Sequence, residues 1–216
     1  MRTDHTELGG LLSAGLSALG LETPSLREQK LLDYLALMRR WNRVYNLTAV
    51  KDIETMVDRH LLDSLAVAPY LRGERFLDVG SGAGLPGIPL AIWFPERRFV
   101  LLDSNGRKTR FLVQAKIELG LTNVEVIQAR VQDMQLAGGY DGILSRAFSS
   151  LADLVTAAGR LLTPDGTIYA FKGMRPEAEL CALPKPYRVR ALRPLAIPGA
   201  NADRHLVELT ADTGIS

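Results

Sequence analysis

A glycine-rich turn between an apolar strand and a helix constrains this chain more than any other sequence feature. Residues 76–79, which are apolar except for Asp78, are followed by glycines at positions 80, 82 and 84. Glycine has no Cβ, so a ligand can lie directly against the turn, and the free N–H groups at the start of the next helix face that ligand. Asp103 ends a second apolar run, where an acid can accept hydrogen bonds from ribose hydroxyls. Together these features predict a nucleoside-containing cofactor.

The glycine pattern fits two cofactor classes. Residues 82–87 satisfy G-x-G-x-x-G, which keeps NAD and an oxidoreductase open, and a turn that only makes a tight strand–helix connection is a further alternative. Asp78 favours S-adenosylmethionine, because an acid two residues before the first glycine can reach the amino-acid end of that cofactor. The sequence also has no Tyr followed by Lys four positions on and no second glycine-rich turn. We therefore expect S-adenosylmethionine.

Length and composition narrow the remaining classes. The 216 residues suffice for one domain with a substantial core, and 47% hydrophobic with 23% charged residues is ordinary for a globular protein. Cys181 is the only cysteine and the three histidines are widely separated, so no metal is expected. Without an apolar run of membrane-spanning length or a signal-peptide pattern, a cytoplasmic protein without a membrane is expected.

Residues 1–72 are expected to form a helical extension packed on the rest of the chain. Leucines recur at helical spacing between residues 8 and 19, and a third helix is expected over residues 53–71. Between them, Ser25 and Glu28 have the spacing of a capping box at the start of a longer helix. The expected apolar face of that helix comprises Leu31, Leu35, Met38 and Val44.

Residues 73–216 alternate between strand and helix. Strands are expected near 75–79, 98–102, 123–128, 140–144, 166–171, 187–195 and 204–210. Helices are expected near 86–94, 105–119, 150–162 and 175–182. Short connections and continuous apolar strands indicate a parallel sheet covered on both faces, with an antiparallel pair at its edge. The predicted fold is α/β, a Rossmann-like class I S-adenosylmethionine-dependent methyltransferase with a seven-stranded, mostly parallel sheet, whose ligands bind beyond the carboxyl ends of the strands.

Six segments carry a family resemblance. The first three are Trp41-Asn42-Arg43-Val44-Tyr45-Asn46-Leu47-Thr48, Arg59-His60-Leu61-Leu62-Asp63-Ser64-Leu65, and residues 78–89, which include Gly-Leu-Pro-Gly-Ile-Pro. The others are Leu102-Asp103-Ser104, Arg107-Lys108 with Arg110-Phe111-Leu112, and Ser145-Arg146-Ala147-Phe148. From about residue 30 to residue 210 the chain resembles the ribosomal RNA small subunit methyltransferase G family, also called glucose-inhibited division protein B. The resemblance implies methyl transfer from S-adenosylmethionine to N7 of a guanine in 16S rRNA, presented as naked RNA or in the small ribosomal subunit.

The resemblance also implies which residues hold the cofactor. The matching positions are Gly80, Leu85, Asp103, Ser104, Asn105, Val131, Gln132 and Arg146. The glycine turn adds Asp78, Gly82 and Gly84 to this set. The sequence departs from the family at Gln132, a position more often occupied by Glu; glutamine keeps a carbonyl acceptor and adds an amide donor without the charge.

The implied reaction needs no general base. Guanine N7 carries a lone pair and no proton, so alignment and exclusion of water suffice. Arg146 is the candidate catalytic residue, positioning the methionine carboxylate or guanine O6, with a surface salt bridge as the alternative. Cys181 lies in an apolar helical context and is expected to be a buried core thiol rather than a nucleophile.

Basic residues recur in clusters that suit an RNA partner. The candidate RNA-binding residues are Arg107, Lys108, Arg110, Lys172, Arg188 and Arg190. Each cluster alone also fits a solvated surface, and His60 fits either base stacking or a tie between the N-terminal helices and the sheet. A monomer is expected. Two other functions stay open, a small-molecule methyltransferase and a noncatalytic RNA- or ribosome-binding module that retains the cofactor fold.

Overall fold

The computed structural model describes residues 5–22, 24–135, 138–146, 148–200 and 203–212. The N-terminal part begins with helix α1 (His5–Ala18) and helix α2 (Ser25–Tyr45). Leu8, Leu12 and Leu16 of α1 are buried, as their spacing at every fourth position predicts. These leucines pack into the same apolar cluster as the buried face of α2.

Two details of α2 differ from the sequence prediction. The capping box is wrong, because Ser25 is the first helical residue and Pro24 occupies the N-cap position with an extended backbone, φ −60° and ψ 141°. The assignment of Val44 to the buried face is also wrong, since this side chain is 72% exposed. Trp41 and Tyr45 stack with ring centroids 5.1 Å apart and occupy the packed face of this last turn. Val44, rotated by about 100° from Tyr45, therefore points to solvent.

The expected third helix is a composite segment. Helix α3 (Ile53–Met56) continues into a π-helical stretch (Val57–Leu62) and then into the short helix α4 (Asp63–Leu65). A separate 3-10 turn follows at Ala68–Tyr70. Asp52 caps α3, its Oδ2 accepting a hydrogen bond from Thr55 N–H at 2.8 Å. His60 in the π-helical stretch and Asp63 directly after it are both buried, and both take part in the site.

A seven-stranded sheet forms the centre of the molecule. Its strands are β1 (Arg75–Val79), β2 (Arg98–Asp103), β3 (Val124–Gln128), β4 (Tyr140–Ser145), β5 (Leu162–Lys172), β6 (Tyr187–Pro194) and β7 (His205–Ala211). The strand order is β3-β2-β1-β4-β5-β7-β6, with β1 to β5 parallel and β7 antiparallel to both of its neighbours. The predicted seven-stranded, mostly parallel α/β fold is confirmed, and its switch point lies between β1 and β4.

Helices cover both faces of this sheet. They are α5 (Gly87–Trp93), α6 (Gly106–Glu118), α7 (Leu151–Ala158) and α8 (Glu177–Cys181), with 3-10 turns at Val131–Asp133 and Gly159–Leu161. One apolar cluster joins α1, α2, α5 and α6 to the sheet side chains of Phe76 and Phe99. A second joins α7 to the opposite face, through Leu77, Val100 and Ile143. Strands that are buried on both sides explain why their sequences are continuously apolar.

Two of the strands are irregular, and one of these irregularities changes the predicted bounds. In β5 the register against β4 jumps from Tyr140↔Leu162 to Gly142↔Thr167. The strand therefore begins at Leu162, whereas the sequence predicted its start near residue 166. In β6 the register against β7 shifts between Val189 and Ala191, which places Arg190 at a bulge. Within the described ranges, none of the helices has the length and apolar character needed to span a membrane.

Candidate functional site

The glycine turn forms a tight loop over the carboxyl end of β2. Gly80, Gly82 and Gly84 all have positive φ values, 71°, 59° and 90°, which residues other than glycine rarely adopt. The N–H groups of Gly80 and Ser81 both donate to the carbonyl of Leu102, at 2.8 Å and 3.0 Å. The turn is therefore fixed to the strand whose end carries Asp103.

Asp103 joins the turn to the next helix. Its Oδ2 accepts a hydrogen bond from Gly82 N–H at 2.9 Å, and its Oδ1 accepts one from Asn105 N–H at 2.8 Å. Asn105 in turn caps α6, because its side-chain oxygen accepts from Arg107 N–H at 2.9 Å. Lys108 Nζ lies 4.0 Å from Asp103 Oδ2. The carboxylate thus keeps one edge at the surface of the crevice while bracing the backbone around it.

A cavity of about 490 Å³ opens at this edge of the sheet. It is lined by the ends of β1 and β2, the loop after β3 and the loop after β4. The lining residues are Val79, Gly80, Leu102, Asp103, Ser104, Lys108, Ala129, Arg130, Val131, Gln132, Phe148 and Ser149. A Cβ placed on Gly82 would meet no atom closer than 3.8 Å, which leaves open space beside the turn. The volume and the mixed polar and apolar lining suit a small-molecule cofactor.

Several predicted cofactor residues therefore meet at one place and others lie around it. Gly80, Asp103, Ser104, Val131 and Gln132 line the cavity. Gly82, Gly84 and Leu85 form the turn beside it, and Asn105 braces its floor through the α6 cap. Arg160, which sequence did not single out, holds the far wall, since its Nη2 donates to the carbonyls of Val131 and Gln132, both at 3.0 Å.

Asp78 lies beneath the turn rather than in the cavity. It is 1% exposed, and its Oδ2 accepts a hydrogen bond from Gly87 N–H at 3.0 Å. Its Oδ1 is buried without a hydrogen-bond partner among the residues that the structure describes. Burial raises the pKa of this carboxyl to about 7, against the lowering effect of the Gly87 hydrogen bond. This geometry gives Asp78 a bracing contact to the helix that follows the turn.

Tyr34 is a site residue that sequence reasoning missed. It lies on α2, is fully buried, and donates its hydroxyl to the carbonyl of Ala83 inside the glycine turn at 2.5 Å. Burial raises the pKa of this phenol well above its usual value, and the nearby Asp78 charge adds to that effect. The contact spans 49 residues of sequence, so the local apolar pattern that predicted this helix gave no signal for it.

The Trp-Asn motif near the end of α2 fixes the loop that follows this helix. Asn42 exchanges two hydrogen bonds with the backbone of Thr48, its Nδ2 donating at 3.0 Å and its Oδ1 accepting at 2.9 Å. Asn46 ends the helix in the left-handed conformation with φ 49°. Thr48 Oγ1 lies 2.9 Å from His60 Nε2, and burial lowers the pKa of this histidine. His60 thus connects the N-terminal helices and is not presented for base stacking.

Arg146 is held by an acid from the N-terminal segment. Its Nη2 lies 2.9 Å from Asp63 Oδ2 and donates to the carbonyl of Arg59 at 3.4 Å. Asp63 is 3% exposed and also accepts from Arg204 Nε at 2.9 Å. The salt bridge predicted as the alternative role of Arg146 therefore exists, but it is largely buried and not at the surface. It lies just after the carboxyl end of β4. Asp63 and Arg204 escaped sequence reasoning because their meeting depends on segments 141 residues apart.

The basic candidates do not all converge on the crevice. Lys108 lines the cavity, and Arg107 and Arg110 are exposed on the first turns of α6. Lys172 ends β5 but is only 14% exposed, and its ammonium donates to both oxygens of Glu179, at 3.0 Å and 2.7 Å. Its charge is thus neutralised within the protein.

Arg188 and Arg190 lie on the outermost strand, β6. Arg188 pairs with Thr210 of β7. The neighbouring residue of β7, Leu209, pairs with Ile168, which lies four residues before the end of β5. At about 3.3 Å per residue, the Ile168–Leu209 pair lies roughly 13 Å from the carboxyl edge of the sheet, and Arg188 lies one residue farther from that edge. Arg190 Nη1 lies 3.4 Å from Thr167 Oγ1, at the β6 bulge. These arginines form a surface separate from the cavity.

The remaining chemistry candidates are few. Cys181 is exposed, so its expected burial is wrong; no residue of α8 is buried, because this short helix lies on the surface with only Leu180 packed toward the core. No group of three or more potential metal-ligating side chains occurs in the described part of the chain. The site therefore offers binding and positioning groups around an open cavity.

Comparisons with known proteins agree with this geometry. The family whose sequence model matches residues 27–207 is described as rRNA small subunit methyltransferase G. Proteins named ribosomal RNA small subunit methyltransferase G are 52% identical in Marinobacter nauticus, over 92% of each chain, and 54% identical in Methylococcus capsulatus, over 92% of this chain and 97% of that one.

Solved structures share the fold at low sequence identity. A glycopeptide N-methyltransferase, MtfA, complexed with S-adenosyl-L-homocysteine superposes with a TM-score of 0.61 at 12% identity, covering 70% of this chain and 87% of that one. TrmN from Thermus thermophilus superposes with a TM-score of 0.57 at 20% identity, covering 79% of this chain and 53% of that one. Both likenesses concern the architecture of the sheet and its helices.

Proposed function

Since the chain belongs to the rRNA small subunit methyltransferase G family, we propose that it methylates N7 of a guanine in 16S rRNA. The enzyme is an rRNA methyltransferase and its cofactor is S-adenosylmethionine. The observation that carries the proposal is the cavity of about 490 Å³ at the glycine turn, in a chain whose residues 27–207 match that family. The cavity offers a carboxylate, amide groups and apolar walls, the donor set that a nucleoside with an amino-acid tail requires.

The residues around the cavity divide the cofactor between them in this proposal. Asp103, with one edge at the cavity, accepts hydrogen bonds from the ribose hydroxyls. Val131 and Gln132 contact the adenine, where the Gln132 amide supplies both an acceptor and a donor. Gly80 and Gly82 leave room for the amino-acid tail, which the backbone of the turn binds together with Leu85, Ser104 and Asn105. Arg146 orients the reacting groups from the end of β4.

The proposed chemistry rests on alignment. When bound, S-adenosylmethionine supplies a methyl group on a sulfonium centre that is already electrophilic. Guanine N7 would accept the methyl group with its own lone pair as the bond from the methyl carbon to sulfur breaks, and it has no proton to lose, so the protein needs no general base. The turn, Asp103 and Arg146 fix the geometry, and the loop residue Phe148 limits access of water from its side of the cavity. Restricting the reactants in this way contributes up to about 7–11 kcal/mol of barrier reduction.

We also propose how the protein works as a unit. Residues 1–72 act as an extension that supports the core of residues 73–216, because α2 shares an apolar cluster with α5, α6 and the sheet. A ribosomal substrate places the activity in the cytoplasm, and the protein acts as a monomer that reads RNA through its basic surface. Lys108 at the cavity and Arg107 with Arg110 on the first turns of α6 form one part of that surface, and Arg188 with Arg190 on β6 forms a separate one.

A methyl-transfer assay tests the proposal. The purified protein is incubated with labelled S-adenosylmethionine and either 16S rRNA or intact small subunits from cells that lack this enzyme. Label is expected in the rRNA, and chemical cleavage specific for 7-methylguanine is expected to release it at one guanine. Label in rRNA without such cleavage would move the reaction to another atom.

Parallel binding measurements separate the alternatives. Titration with S-adenosylmethionine should give tight binding, whereas NAD should give none. A protein that binds rRNA but not the cofactor would be a noncatalytic ribosome-binding module. One that binds the cofactor and methylates a small molecule with little dependence on salt would fit the small-molecule alternative, since RNA binding weakens steeply as salt rises.

A further inference from the structure

A second, smaller cavity lies beside the cofactor cavity. It has a volume of about 150 Å³ and is lined by Asp63, Arg146, Phe171, Lys172, Gly173 and Arg204. We call it the basic cavity. Arg146 lines the basic cavity, and Phe148, two residues further on, lines the cofactor cavity, so the same connection between β4 and α7 separates the two. A molecule bound in the basic cavity would therefore lie next to the reacting groups.

The charges around the basic cavity do not cancel. Lys172 is neutralised by Glu179, whose Oε2 also accepts from Leu151 N–H at 2.7 Å. Two guanidinium groups, those of Arg146 and Arg204, then share the single carboxylate of Asp63, at 2.9 Å each. Among the residues that line the cavity, one positive charge remains uncompensated, and both arginine side chains are only about a quarter exposed, 25% and 27%. The buried Asp78 also interacts with Arg146, but burial raises the pKa of Asp78 to about 7, so only part of its charge is present near neutral pH.

The hydrogen-bonding capacity around the cavity is also incomplete. A guanidinium carries five N–H donors, and Asp63 occupies only a fraction of them on each arginine. Arg146 Nη1 is buried and has no hydrogen-bond partner within the described ranges. A buried donor left without an acceptor is destabilising, so the arrangement favours a ligand that brings acceptor oxygens and negative charge.

We propose that the basic cavity binds a phosphodiester group of the RNA substrate close to the methylated nucleotide, with Arg204 and Arg146 as its ligands and Asp63 as the residue that positions both. The inference rests on the proposed function, which supplies the RNA. Planar guanidinium groups match phosphate oxygens with paired hydrogen bonds, and such phosphate contacts fix the register of a nucleic acid without reading its bases. A phosphate held here sets which nucleotide reaches the cofactor.

The cofactor offers a rival anion, its methionine carboxylate, and Arg204 distinguishes the two. Arg146 serves both proposals, so changing it would not separate them. Arg204 lines only the basic cavity and reaches it from the start of β7. The first variant is Arg204→Gln, which removes the charge. The second is Arg204→Lys, which keeps the charge but lacks the planar guanidinium group with its paired N–H donors. Arg40→Gln is the matched control, because Arg40 also pairs with an acid, Glu118, but on the exposed face of α2.

The measurements are direct binding of 16S rRNA fragments as a function of salt, and separate titration with S-adenosylmethionine. For Arg204→Gln we expect RNA affinity to fall about tenfold and the slope of log affinity against log salt to flatten by about one, with cofactor affinity within twofold of wild type. Arg204→Lys should recover the salt slope but only part of the affinity. Arg40→Gln should leave both binding constants within twofold.

Three outcomes would overturn the proposal. Loss of cofactor affinity with RNA binding unchanged would assign the cavity to the methionine carboxylate. Unchanged binding of both ligands would show that the cavity is not a subsite, provided that the melting temperature of each variant confirms folding. If Arg40→Gln lowered RNA affinity as much as Arg204→Gln, the loss would come from the lower net positive charge of the protein and not from a phosphate contact in the basic cavity. Failure of the proposed function appears elsewhere, as wild-type protein that binds RNA without methylating guanine N7.

Discussion

Gly82 is the residue at which an added side chain tests the cofactor cavity most directly. Its Cβ position is open, and its φ is 59°. We predict that Gly82→Val abolishes binding of S-adenosylmethionine, because the branched side chain would fill the space beside the turn. Isothermal titration with the cofactor measures the effect. Unchanged affinity would show that the cofactor does not pass over this glycine.

Gly120 provides the matched control for backbone strain. It lies just after α6 with φ 62°, and its Cβ position is equally open. Gly120→Val should therefore cost about the same 1–2 kcal/mol of folding stability, the strain of a left-handed conformation, as Gly82→Val does. Only the change at Gly82 should affect the cofactor. Equal loss of binding in both variants would attribute the effect to unfolding.

Asp78 predicts a pH dependence of stability in the cofactor-free protein. In the unfolded chain this carboxyl ionises near 3.8, whereas burial raises its pKa to about 7 in the folded protein. Between these values the folded protein holds a proton that the unfolded chain has lost, so stability falls as pH rises from about 4 to above 7. Asp78→Asn, which keeps an acceptor for Gly87 N–H, should flatten that fall. Thermal unfolding at pH 5 and pH 8 measures it, and equal slopes in both proteins would contradict the prediction.

At the scale of elements, α2 supports the cofactor turn through one hydrogen bond. Tyr34→Phe keeps the buried ring and removes the hydroxyl that binds the Ala83 carbonyl. We predict a loss of about 1 kcal/mol of unfolding free energy, the usual value of a hydrogen bond, with weaker cofactor binding. Denaturant unfolding and cofactor titration measure both quantities.

Tyr45 on the same helix is the control for that change. Its ring stacks on Trp41, and no hydrogen bond of its hydroxyl is recorded among the described residues. Tyr45→Phe should change the unfolding free energy by less than about 0.5 kcal/mol. If Tyr34→Phe behaved like Tyr45→Phe, the hydroxyl would have no role in holding the turn.

Sequence reasoning was most successful for elements defined by local periodicity. The seven strands, the helices α5 to α8 and the antiparallel edge pair occur close to where the sequence pattern placed them, although β5 begins four residues earlier than predicted. The central strands β1 and β2 were the clearest, because burial on both faces leaves a continuous apolar sequence, whereas β6 contains no buried residue. The cavity residues Gly80 and Asp103 also follow from position, because parallel strands bring their carboxyl ends to one edge. Gln132 lies beyond the end of β3, and only the family resemblance assigned it to the cofactor.

The failures share a physical cause. Contacts between distant segments decide the roles of Tyr34, Asp63 and Arg204, and no local pattern encodes them. Competition between neighbours accounts for others: Pro24 takes the cap position from Ser25, and the Trp41–Tyr45 stack displaces Val44 to solvent. Lys172 shows the same limitation, since sequence could identify a strand-end lysine but not the Glu179 that neutralises it.

At the scale of the whole molecule, two basic surfaces can meet RNA. One is Arg107 with Arg110 on the first turns of α6, and the other is Arg188 with Arg190 on β6. We predict that replacing either pair with Ala lowers RNA affinity and flattens its salt dependence by one to about two in slope, because each arginine lost from a phosphate contact removes about one. Filter binding at several salt concentrations measures the slope. An unchanged slope for the β6 pair would confine the RNA to the cavity side.

The strand order carries a consequence for how the molecule is made. β7 is synthesised after β6 but lies between β5 and β6, so β6 has no partner in the sheet until β7 has left the ribosome. A nascent chain held before residue 205 should leave β6 open to protease, and one extended past residue 211 clear of the exit tunnel should protect it. Because Arg204 arrives with the same strand, closure of the sheet and completion of the basic cavity become a single late event of cotranslational folding.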